Sequence, residues 1–417
     1  MLRSCPLALL PLLALLGCGT HLASRRTDAT AMPVAVSGAD AGERELAALD
    51  REMERQLVEH GLVYRDESLQ RYLDAVGARL VAAAGDPHIQ FRFVALRDPA
   101  VNAFATSQGG VFVNAGLFAR LDSEAELAHV LAHEMAHTRG HHQSRALHDL
   151  EAKTMTAKLA NLLSGGVVAP VIALTYAASV NGYGRELERQ ADLEGLRMMA
   201  AAGYAPAEAR RIFASLEEGP PQTALQIYFY GNHPANAERA RYVDEALRSF
   251  AGAIDAGTID SDAYRSATHA IALESVHLCL QNRLYQTALD SAEELRAWRG
   301  DDAWLDYYSA EAHRLIAADA EGAALDAAAR ERREVRLAEV DAWRARAAAE
   351  RQSALEGYRR VVERNPCLTL AHRGIGLVAR DSGDRATART ELALYLADLA
   401  AVEDRQRIEN IIAEVNR

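Results

Sequence analysis

The most constraining feature of the chain is a run of five residues, His133-Glu134-Met135-Ala136-His137, inside a segment with a marked helical start and stop. Ser123-Glu124-Ala125-Glu126 has the spacing of a capping box, with Glu126 placed to reach back to the Ser123 backbone amide. Leu127, Val130 and Leu131 carry the helical period onward, and Gly140 ends it. Residues four apart share one helix face, so both imidazoles can reach a single ion, and neutral imidazole suits zinc. The glutamate beside the first histidine faces the coordination position left for water, where a carboxylate serves as general base. A surface helix carrying two solvated histidines would show the same five residues. The cap, the apolar content and a second, acidic helix downstream argue against it.

That second helix spans residues 185–202, ends at Gly203, and carries Glu188 and Asp192 one turn apart. Glu188 is the candidate third metal ligand. Asp192, one turn on, is placed to accept the outer N–H of a metal-bound histidine and so fix its tautomer. Ala191 would allow close packing on the first helix. The competing reading is a solvated charged face shared with Arg185 and Arg189. His129 and His141 extend the histidine stripe and, with His142 and His148, read as solvated or hydrogen-bonded side chains. No Ser-His-Asp order, Cys-His pairing or phosphate loop stands out.

Around these helices the sequence reads as α+β and mostly helical. Residues 42–59 and 68–84 have amphipathic helical spacing closed by Gly61 and Gly85. Residues 89–96 alternate as a strand, and 101–105 with 111–113 form a hairpin around Gly109-Gly110. Asn102, Ala103, Phe104 and Ala105 could then present an edge strand to an extended peptide. Beyond residue 250 the pattern becomes all-α. Ala354, Tyr358, Val361, Pro366, Gly376, Gly383, Ala388 and Leu392 fit a tetratricopeptide helix pair, with Ala288, Ala292 and Leu295 as an earlier copy. A generic helical bundle would share much of this spacing. Residues 320–352 read as one long helix. Cys279 and Cys367 are either a disulfide or two isolated core cysteines.

The N-terminal segment carries targeting signals rather than fold. Residues 7–16 are apolar behind Arg3, too short to span a bilayer, and lead into Leu15-Leu16-Gly17-Cys18. This ending resembles a lipobox with Cys18 as the lipidated residue; a plain secretory signal is the alternative. Residues 21–41 read as a tether. Residues 162–180 hold no charge but are broken by Gly165, Gly166 and Pro170, and read as buried or lining a cleft, with membrane insertion as the alternative. A formal charge of −12 leaves no basis for general nucleic-acid binding.

Taken together, four stretches resemble the HtpX/BepA-type gluzincin peptidases, and most closely their periplasmic branch with C-terminal tetratricopeptide repeats. They are Asn102 to Ala105 with Gly109-Gly110, Glu126-Leu127-Ala128 leading into His133 to His137, Glu188 to Asp192, and His233-Pro234 with Arg239. The sequence departs from the family pattern at Gly184, His141 and Thr106-Ser107, all supporting positions. The resemblance implies one Zn2+ per chain held by His133, His137 and Glu188, with Glu134 as base and Asp192 behind the ligands. It places His233 near the metal, as oxyanion stabiliser or closing ligand. The expected organisation is a signal peptide over 1–17, a lipidated linker over 18–41, a peptidase domain over 42–250 and a tetratricopeptide-like domain over 251–417. The expected function is endopeptidase action on unfolded or misassembled envelope proteins, in the periplasm and anchored at the outer membrane through Cys18. The helical region would recruit substrates or assembly machinery. The alternatives are a chaperone-like scaffold with a latent or closed metal site and a peptidase working inside the membrane through 162–180.

Overall fold

The computed structural model describes residues 41–86, 88–145, 185–217, 236–250, 254–331, 333–397 and 404–416. Cys18, His148, the 162–180 segment and His233 lie outside them. Val111-Phe112-Val113 is an unbroken run of β-branched and aromatic residues, the pattern of a strand covered on both faces. It forms the middle of β3 (Gly110–Asn114), which lies between β1 (Arg92–Leu96) and β2 (Ala103–Ala105). β1 runs parallel to β3 with Phe93 beside Val111, and β2 runs antiparallel with Phe104 opposite Phe112. Phe93, Ala95, Val111 and Val113 enter the main core. Leu96 and Phe112 enter a smaller one with Met53 and Leu57 of α1 (Ala41–Glu59).

The expected strand over 89–96 begins only at Arg92. β3 starts at Gly110, so residues 89–91 have no ladder partner. Gly109 turns the chain there in the left-handed region at φ +83, its backbone so close to Gln90 that a Cβ would lie 2.8 Å from the Gln90 carbonyl oxygen. Only glycine makes that turn without strain.

The main core is completed by α2 (Glu67–Ala84), α3 (Ala115–Arg120), α4 (Glu124–Arg139), α5 (Arg185–Ala201), α6 (Glu208–Glu217) and α7 (Asn236–Ser249). Ser123 caps α4 by accepting the Glu126 N–H at 3.1 Å. The Glu126 carboxylate accepts the Asp122 N–H at 2.7 Å rather than that of Ser123, so the reciprocal half of the expected capping box is shifted by one residue. Every residue from Glu124 to Thr138 is buried. α4 is therefore a central helix, and its histidines are not on a solvated face.

The C-terminal region is all helical: α8 (Ser261–Gln281), α9 (Tyr285–Arg299), α10 (Ala303–Ala318), α11 (Ala320–Arg330), α12 (Leu337–Arg364), α13 (Leu370–Asp381), α14 (Arg385–Leu396) and α15 (Arg405–Val415). α8 belongs to two cores at once. Tyr264, Ile271 and Leu278 join the main core, while Ala272, Val276 and Cys279 join that of the following helices. The boundary expected near residue 250 thus falls ahead of a helix shared by both halves. Small residues allow close helix approach: a Cβ on Gly376 would meet the Leu392 side chain at 2.6 Å, and one on Gly357 would meet Ala310 at 2.7 Å.

The single helix expected over 320–352 is two helices. Asp326 holds α11 against α9 by accepting the Gln286 and Thr287 N–H groups at 2.7 and 3.1 Å, while α12 packs along α10. Each helix has its own partner, and the chain turns between them without glycine or proline to announce it. Cys279 is a buried free thiol, so it does not pair with Cys367.

Candidate metal centre

α4 and α5 meet face to face because α5 presents Glu188, Ala191, Asp192 and Gly195 along one stripe, at spacings of three, four and seven residues. Gly195 is a point of close approach. A Cβ there would come within 3.0 Å of the His133 backbone nitrogen. This approach brings the carboxylates of α5 onto the imidazoles of α4.

His133 Nε2 and His137 Nε2 lie 3.0 Å apart. Glu188 Oε2 is 3.6 Å from His133 Nε2, and Glu188 Oε1 is 3.7 Å from His137 Nε2. Donors held by one tetrahedral zinc at 2.0–2.2 Å sit roughly 3.3 Å from each other. Among the described residues, these three side chains are the one group whose donor atoms converge as a metal site requires, and all three are buried. Two nitrogens and one carboxylate fit zinc by donor chemistry and leave a position open. Glu134, next to the first imidazole, is buried as well.

Behind these donors sits a second layer of charge. Asp192 Oδ1 lies 2.9 Å from His133 Nδ1, on the side of the ring away from the other donors. Arg239 of α7 grips Asp192 with two hydrogen bonds, from Nε at 2.8 Å and from Nη2 at 2.7 Å, and its Nη1 is 3.5 Å from Glu188. The Tyr242 hydroxyl donates to Asp192 at 3.0 Å. Burial alone would raise the Asp192 carboxyl, but the Arg239 guanidinium overrides it and holds Asp192 well below the usual carboxylate range. Burial would likewise lower His133; Asp192 outweighs it and holds the imidazole above its ordinary value. The same negative surroundings that favour a proton on this ring would favour a metal ion in its place, the imidazole being neutral when it ligates. His129, also buried, is pushed down to about 3 by desolvation and stays neutral.

β2 runs beside α4 and is tied to its end. Thr138 Oγ1 donates to the Thr106 carbonyl at 2.9 Å, and Gln143 Nε2 to the Ala105 carbonyl at 3.1 Å. β2 is an edge strand among the described residues, so one side of Asn102 to Ala105 has no strand partner there. Asn102, Ala103 and Ala105 are buried, and the Phe104 ring stacks on Phe112 at 5.0 Å between centroids.

Three further residues contribute through contacts that the sequence pattern does not display. Arg239 follows the His233-Pro234 pair in sequence, and its spacing does not reveal the grip on Asp192. Gly195 gave no signal apart from its place seven residues after Glu188. His142, read as solvated or hydrogen-bonded, is buried with Nδ1 2.9 Å from His137 Nδ1. Desolvation pushes it down to about 4. His141, by contrast, is exposed, 3.9 Å from Glu43.

Two histidines one turn apart on a buried helix, joined by a glutamate from a second helix, make up the donor arrangement of a gluzincin-type metal centre. Residues 67–247 match Peptidase family M48. The chain is 36% identical over 206 residues to a Vibrio cholerae serotype O1 protein provisionally named as a beta-barrel assembly-enhancing protease, covering 47% of this chain and 43% of that one. It is 30% identical over 162 residues to the beta-barrel assembly-enhancing protease of Escherichia coli K12, covering 36% and 33%. It is 28% identical over 188 residues to the mitochondrial metalloendopeptidase OMA1 of Schizosaccharomyces pombe, covering 42% and 52%. The chain thus spans between about a third and about a half of the length of these relatives.

Proposed function

We propose that this chain is a zinc-dependent endopeptidase of the cell envelope, with His133, His137 and Glu188 as ligands and Glu134 as general base. One observation carries the reading: three buried donors from two helices converge at the spacing one ion requires. A bound zinc would polarise the scissile carbonyl and lower the pKa of a nearby water to about 7. The protein's own residues do the rest. Glu134 takes the proton of the attacking water and passes it to the leaving nitrogen. Asp192 orients His133, and Arg239 keeps Asp192 ionised. An extended peptide would pair with the open side of β2 along Asn102 to Ala105, which favours unfolded substrates over particular sequences. His233 is assigned to the same site, as oxyanion stabiliser or closing ligand.

Two of the relatives are named for enhancing beta-barrel assembly, which supports action on proteins connected with that assembly. The helical region, with its tetratricopeptide-like pairs over 251–417, would then recruit substrates or assembly machinery, and Cys18 would anchor the mature chain. No helix among the described residues is long and apolar enough to cross a membrane.

Glu134→Gln tests the chemistry. Cleavage of an unfolded casein-type substrate should fall by about 10²–10⁴-fold while zinc stays bound at one per chain. Retained cleavage would remove Glu134 as base. A zinc-replete wild type that cleaves no unfolded protein would favour the chaperone-like scaffold.

A further inference from the structure

α4 ends at Gly140, whose φ of −79 any residue could adopt. What excludes a side chain there is His142: a Cβ on Gly140 would lie 2.3 Å from His142 Nε2 and 2.5 Å from its Cδ2. His141 takes a left-handed backbone at φ +51, which costs an L-residue energy and is rare outside turns. That reversal folds the chain back over the end of the helix. His142 becomes 2% exposed, its ring meets His137 edge to face at 4.9 Å between centroids, and its Nδ1 stops 2.9 Å from His137 Nδ1. A strained residue, a glycine kept free of a side chain and a buried polar ring all serve one contact.

We propose that His142 is a positioning residue for the metal centre, accepting the Nδ1–H of His137 and thereby committing His137 Nε2 to the ion. The proposal rests on the ligand assignment above. Only one tautomer pair satisfies the geometry. His137 must carry its proton on Nδ1 if Nε2 is to ligate, so His142 Nδ1 accepts and its own proton sits on Nε2. The two histidine ligands are thus oriented differently, His133 by a carboxylate and His137 by a neutral ring. A second carboxylate would add negative charge to a site that already holds Glu188 and Asp192 against one arginine. The neutral acceptor fixes the ring without that charge.

The test separates positioning from packing by two variants of the full-length chain. His142→Phe fills the space but offers no acceptor. His142→Asn loses ring volume but returns an oxygen to nearly the place of Nδ1. Zinc affinity is measured by competition with a chromophoric chelator, beside thermal melting of the metal-free proteins. The expected result is about 10–100-fold weaker zinc binding for His142→Phe and affinity within a few-fold of wild type for His142→Asn. Gly140→Ala should weaken zinc binding as His142→Phe does, because its methyl displaces the ring, while its metal-free melting temperature holds or rises. Equal affinity in His142→Phe and wild type would overturn the proposal, as would loss in His142→Asn with retention in His142→Phe. Wild-type protein that fails to take one zinc would instead overturn the ligand assignment, so the two failures are distinguishable.

Discussion

Two arginine–aspartate pairs in this protein have the same 2.7 Å separation and opposite physical meaning. Arg239 and Asp192 are 4% and 0% exposed behind the metal centre, and Arg344 and Asp341 on α12 are 63% and 64% exposed. The first pair has lost its water and must be matched atom for atom, which it is, by two guanidinium hydrogen bonds, a tyrosine hydroxyl and an imidazole. The second exchanges one set of water contacts for another and stabilises by at most about 1 kcal/mol. Distance alone does not rank ion pairs; burial does. The candidate metal centre gathers buried charge from three helices, whereas the outer face of α12 carries pairs that stay in water.

The comparison breaks most visibly at Arg239. Arg239→Met leaves Asp192 and Glu188 buried without their cation and should cost about 3–5 kcal/mol in the metal-free protein. Added zinc should narrow that loss, because the ion restores positive charge beside Glu188. Chemical denaturation with and without zinc measures both. A cost below about 1 kcal/mol would mean that water reaches the pair.

Asp50 sharpens the comparison at an intermediate burial. It accepts the Ser107 N–H at 2.9 Å and anchors the β2–β3 turn, yet burial pushes its carboxyl up to about 6. The folded protein therefore keeps that proton at pH values where the unfolded chain has released it, and the Asp50 contribution to stability falls as pH rises from about 4 to about 6. Asp50→Asn should remove this slope, a difference on the order of 1–3 kcal/mol between the two ends of the window. Parallel melting curves of variant and wild type across that range would contradict it. The smallest effect belongs to Arg344→Ala, whose stability should stay within about 0.5 kcal/mol of wild type by denaturant titration. A larger loss would undo the ranking by burial.

Much of the N-terminal half was legible because its signals are local. Ser123 and Gly140 bracket α4, Gly203 follows α5, and the spacings of His133 with His137 and of Glu188 with Asp192 follow from helix geometry alone. What escaped depends on contacts between distant residues. Gly195 matters only because the His133 backbone passes over it. His142 matters only because His141 turns left-handed, which no periodicity displays. The break between α11 and α12 carries no glycine or proline; it exists because Asp326 holds one helix to α9 while the next runs along α10. The shift of the Glu126 cap to Asp122 is likewise a choice between two adjacent amides that spacing does not distinguish.

The account is tested most directly by zinc-edge anomalous diffraction from crystals of the Glu134→Gln protein grown with zinc. It predicts one peak per chain, within about 2.0–2.2 Å of His133 Nε2, His137 Nε2 and a Glu188 carboxylate oxygen. A peak bound by other side chains, or none at that point in zinc-saturated crystals, would contradict it.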